Sequence, residues 1–130
     1  MRHSIIEKLK TVEKELSQTR GKLRLFGIFY REESNKWPLV VSADWFGPSQ
    51  LENTKIINDT LRRHLSIDEI VELGWTYAIS PSDPAVHELN RDIEVEHGEV
   101  VRQNFPFRGA DIASAVIITS QSKLPVLSAA

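Results

Sequence analysis

"KLRLFGIFYREESNKWPLVVSAD", residues 22–44, decides the fold. Leu23, Leu25, Gly27 and Phe29 alternate with Arg24, Phe26, Ile28 and Tyr30, as side chains alternate across a strand. From Phe26 onward both sets are largely apolar, which predicts a central strand covered on both sides. "REESNK" is polar, and Ser34-Asn35 are turn formers. Leu39, Val40 and Val41 read as a second strand behind Pro38, a residue suited to a strand start or an edge. Two strands joined by a loop of a few residues form an antiparallel hairpin. That pairing argues against a parallel doubly wound fold, which needs strict strand–helix alternation.

Working outward, residues 4–20 read as a helix, with Ser4 and Glu7 as a capping box and Gly21 as a C-cap. Its apolar residues Ile5, Leu9, Val12 and Leu16 form a narrow stripe of the coiled-coil kind. A helix lying on its own sheet usually shows a wider apolar face. The stripe is therefore expected to be a seam for a second copy of the chain, with residues 1–21 as an oligomerisation segment.

After the hairpin, Ser49 with Glu52 opens a helix over residues 50–65, with Leu51, Thr54, Ile57, Leu61 and Leu65 on one side. Ser66 with Glu69 opens a short helix ending at Gly74, and a strand through Ile70 and Val71 competes with it. "WTYAIS" reads as a strand. Asp83-Pro84 starts a helix that runs to about Asn90. From Asp92 the period becomes two, which predicts a strand with Asp92, Glu94 and Glu96 on one face. Val100-Val101 begin a return strand, "NFPFRGAD" is read as a loop, and "IASAVIITS" is the last strand, apolar on both faces. The expected architecture is α+β: an N-terminal helix first, then a mostly antiparallel sheet of about four to five strands with helices packed on one face. Residues 1–120 form a single domain, and residues 121–130 read as a mobile tail.

Composition narrows the function. The chain has 130 residues and a net charge of −2; a broad nucleic-acid surface normally makes a domain basic, so nucleic acid is not an expected partner. The basic–aromatic groups, Arg62-Arg63-His64, "NFPFRG" and Arg24 with Tyr30-Arg31, lack an RNP-like motif. Absence of cysteine excludes disulfides and thiolate metal sites. No apolar run reaches membrane-span length, and "MRHSIIEKLKTVEKEL" has no apolar h-region, so a cytoplasmic protein is expected. There is no P-loop, no G-x-G-x-x-G and no G-x-S-x-G, and His3, His64, His87 and His97 lack metal-ligand spacing. No cofactor or metal is expected.

These features favour a small intracellular interaction or accessory domain, homodimeric and without chemistry of its own. The alternative is a ligand-binding domain or enzyme, hydrolase-type or metal-dependent. Its site would form at strand ends from Asp44, Trp45, Phe46, Asp83 and His87, or on the Asp92/Glu94/Glu96 face. In "VVSADWFGPSQLENTK", residues 40–55, an acid and two aromatics precede a capped helix start, where free N–H groups suit an anion. The capping box already takes some of those N–H groups, and Asp44 would repel an anion. A turn held by Asp44, with the aromatics plugging the sheet edge, is the favoured reading.

Overall fold

A computed structural model describes residues 1–122. The elements run α1 (His3–Thr19), β1 (Leu23–Tyr30), β2 (Leu39–Ala43), α2 (Gln50–His64), α3 (Ile67–Leu73), β3 (Thr76–Ala78), α4 (Pro84–Asp92), β4 (Val100–Phe107) and β5 (Ala110–Ser120). The chain is α+β, with a mixed, mostly antiparallel sheet ordered β3-β2-β1-β5-β4. β1 pairs antiparallel with β2 and β5, and only β3 joins in parallel, along β2. Of the predicted tail, residues 123–130 lie outside the described residues. No helix among the described residues is long and apolar enough to cross a membrane.

β1 is the central strand its composition predicts, buried from Leu23 through Phe29. Its two faces feed two separate cores. Phe26 and Ile28 join Leu39, Val41, Val116 and Ile118 under α1, α2 and α3. Leu25 and Phe29 join Val40, Ile117, Val86 and Leu89, so α4 lies on the opposite face from the other three helices. The difference from a one-face cover follows from the strands: β1, β2 and β5 are apolar on both sides, and each side needs its own cover.

The α1 stripe is corrected. Ile5, Leu9, Val12 and Leu16 are at most 1% exposed, packed on the chain's own sheet and on α2. A second copy finds none of them at the surface. Ile6 and Glu13 are buried beside them, so the inward face is broader than hydropathy alone indicates. Glu13 is held from two sides: His97 Nδ1 lies 2.5 Å from one carboxylate oxygen, and Thr119 Oγ1 donates to the other at 2.8 Å. Ser4 does not cap α1; Arg2 is the N-cap residue and makes no side-chain cap bond. The Ser66–Glu69 capping box is complete, and Ser49 accepts from the Glu52 amide. Leu51 stands exposed rather than on the buried side of α2.

The region from Asp92 to Glu96 is not a strand. Helix α4 runs through Asp92, and a single bridge, Val95 to Ser120, follows it. "NFPFRGAD" is not a loop: β4 continues to Phe107, and Arg108-Gly109 turn directly into β5.

Ion pairs fasten the helices to one another. The Glu15 carboxyl is held below the ordinary carboxylate range, first by its hydrogen bond with His64 and then by Arg63, both on α2. Glu69 is likewise lowered, first by Lys8 of α1 and then by the Ser66 backbone N–H. A carboxyl lowered in the folded state stabilises it above the unfolded value, and that stability is lost as pH falls through the folded value. The urea midpoint should therefore drop between pH 7 and about pH 3.5, and the Glu15→Gln/Glu69→Gln double variant should show a smaller drop. An equal drop in both proteins would remove these pairs as the cause.

Candidate functional site

The corner after β2 is fully tied down. Arg24, buried in β1, meets Asp44 at 3.1 Å. The Trp45 indole N–H donates to the Gly21 carbonyl at 3.0 Å, and its ring meets Phe46 edge-on at 5.0 Å. The Asn53 side chain bonds both the N–H and the carbonyl of Gly47, at 3.0 Å each. A cleft of about 330 Å³ opens beside this corner. Phe46 and Asp83 line it; Asp44, Trp45 and His87 do not. His87 is exposed on α4. Of the five residues expected to converge, the fold brings two to one cleft.

That cleft adjoins a second hollow of about 180 Å³ on the α4 side of the sheet, and Ile79 and Arg108 line both. The floor of the second is Phe29, Val40, Ile79 and Phe107, with Tyr77 on the edge strand beside them. Phe29 receives Phe105 and Phe107 of β4 edge-on, at 5.7 and 4.9 Å, a favoured aromatic geometry. Among the described residues, Arg31 and Arg108 are the charged ones that line it.

Arg108 is held in an uncommon conformation. It and Gly109 both have positive φ, 53° and 80°, as a two-residue type I′ hairpin requires. Asn35, His97 and Asn104 are the other non-glycine residues with positive φ among the described residues. Asn and His are enriched in that region and Arg is not; the left-handed backbone costs such a residue about 1 kcal/mol. Asp83, the N-cap of α4, holds Arg108 Nε at 3.2 Å. The Arg108 side chain remains half exposed.

In the sequence Arg108 stands out only as a neighbour of two phenylalanines, Phe105 and Phe107. Alternating Phe105, Phe107, Ala110 and Ile112 around a two-residue turn was the available signal, but Arg-Gly lacks the Asn-Gly or Asp-Gly signature of such hairpins.

The acidic residues do not converge. Asp92 faces Arg102 at 3.7 Å, and Glu96 lies near Lys22 and His97 at 4.0 and 3.7 Å. Among the described residues no three His, Asp or Glu side chains are placed to hold a metal ion.

A different surface stands out on the α3 side. Ile67, Val71 and Trp75 are 80%, 56% and 54% exposed. Spacing of four places Ile67 and Val71 on one face of α3, and Trp75 follows just past its end. No protein-family model, curated protein or solved structure matches the chain.

Asp83 serves both the α4 cap and Arg108, and substitutions separate the two roles. Asn caps as well as Asp, so Asp83→Asn should change stability by less than about 0.5 kcal/mol, whereas Asp83→Ala should cost about 1 kcal/mol. Chemical denaturation measures both; equal losses would mean that the ion pair, not the cap, is what Asp83 contributes.

Proposed function

We propose that this chain is a small cytoplasmic interaction domain without chemistry of its own, and that it works as a homodimer through the exposed face of α3. The observation that supports this reading is the row Ile67, Val71 and Trp75, three large apolar side chains left in solvent by a chain that buries most of its others. Contiguous exposed apolar surface rimmed by polar groups marks interaction sites. The charges around the row are largely matched within the chain: Arg2 meets Glu72 at 2.6 Å and Lys8 meets Glu69 at 2.9 Å. That matching lowers the repulsion between two acidic α3 helices in a two-fold contact, where each presents the same patch to the other.

Light scattering after size exclusion tests the proposal. The wild-type chain should run at twice its monomer mass. Ile67→Glu with Val71→Glu, both at exposed positions, should keep the fold and weaken the dimer about a hundredfold or more. A wild-type protein that stays monomeric at its highest soluble concentration, or a folded double variant that dimerises as well as wild type, would end this reading.

A further inference from the structure

We infer that the hollow beside Tyr77 and Arg108 binds a small organic carboxylate, with an apolar body about the size of one aromatic ring or a short acyl chain. It lies on the other face of the sheet from α3 and does not depend on the dimer reading. Three observations converge on it.

The first is charge. The chain carries a net −2, yet the charged residues that line this hollow are two arginines. Planar guanidinium forks match carboxylates in geometry and charge. Asp83 meets Arg108 through Nε, and the half-exposed side chain keeps its terminal N–H groups for a ligand.

The second is unmet bonding. Arg31 is loosely held: Nε has no hydrogen-bond partner among the described residues, and its only ion pair there is with Glu33, at a long 3.5 Å. Its side chain is 40% exposed, so its terminal nitrogens, not the buried Nε, would meet a ligand.

The third is backbone strain. Asn at the first turn position would suit φ of 53° better than Arg. Backbone strain of this kind clusters at functional sites. The volume, about 180 Å³, is below the usual ~300–1,000 Å³ of drug-sized sites, which limits the apolar body. Phe29, Val40 and Ile79 would contact that body, while Arg108 and Arg31 would hold the carboxylate at the mouth.

Titration of isotope-labelled protein with benzoate, followed by amide NMR, tests the site. Benzoate should bind saturably, with the largest shifts at Tyr77, Ile79 and Arg108 and none on α3. Benzamide, the neutral isostere, and inorganic phosphate, the anion without the apolar body, should each bind about tenfold more weakly or worse. Arg108→Asn should fold with an unchanged or higher melting temperature, because Asn suits the turn, and should bind benzoate at least about tenfold more weakly. Benzoate failing to bind, benzamide binding equally well, or the folded Arg108→Asn variant keeping wild-type affinity would each overturn the assignment. Phosphate binding as tightly as benzoate would also overturn it, since the apolar floor would then play no part.

Discussion

The structure depends on a strand that is apolar on both faces. β1 is buried from Leu23 through Phe29, so the sheet needs two covers, not one. Its neighbours approach closely: a Cβ at Gly27 would stand 2.9 Å from the Val116 carbonyl oxygen and 3.2 Å from Ile117 Cα. Irregular register flanks the strand on both sides, between Leu23 and Leu25 against β2 and between Phe26 and Gly27 against β5. Such irregularities increase local twist. Three helices supply one cover. The other is made of two unlike parts, α4 at one end and the aromatic tip of the β4–β5 hairpin at the other.

Those parts give the α4 side two different ends. Where β1 begins and β5 finishes, polar side chains bind the elements together. Asn90 of α4 donates to the Arg24 carbonyl and to Ser120 Oγ, at 2.9 Å each, and Ser120 Oγ donates to the Ile93 carbonyl at 2.8 Å. Buried networks of this kind fix one arrangement of their elements. At the far end of β1, Phe29 is covered by two phenylalanine edges and a hollow remains beside them. The closed end holds the cover in place, and at the other end a small hollow flanked by two arginines sits against the nearly buried Phe29 and Val40.

Much of this frame was legible in the residues. The two apolar faces of Leu23–Tyr30 identified the central strand, and Ser66–Glu69 and Asp83-Pro84 marked helix starts that the structure keeps. What escaped was set by tertiary context. Asp92, Glu94 and Glu96 alternate as strand residues do, yet α4 continues through Asp92 because Leu89, Asn90 and Ile93 find buried partners there. The α1 stripe looked too narrow for a sheet-packing helix because one inward residue, Glu13, is charged; its partners His97 and Thr119 lie far along the chain. The candidate site was legible only in pieces. Phe46 and Asp83 reach the cleft, but Arg108 is placed by a turn whose residues lack the usual signature.

Amide hydrogen exchange resolved by residue tests the two-cover account most directly. With both faces of β1 sealed, the amides of Leu25 through Phe29 should exchange only through global unfolding, and those of the short edge strand β3 should exchange by local opening. Exchange of the β1 amides at β3-like rates would show that one cover is not in place, and would contradict the account.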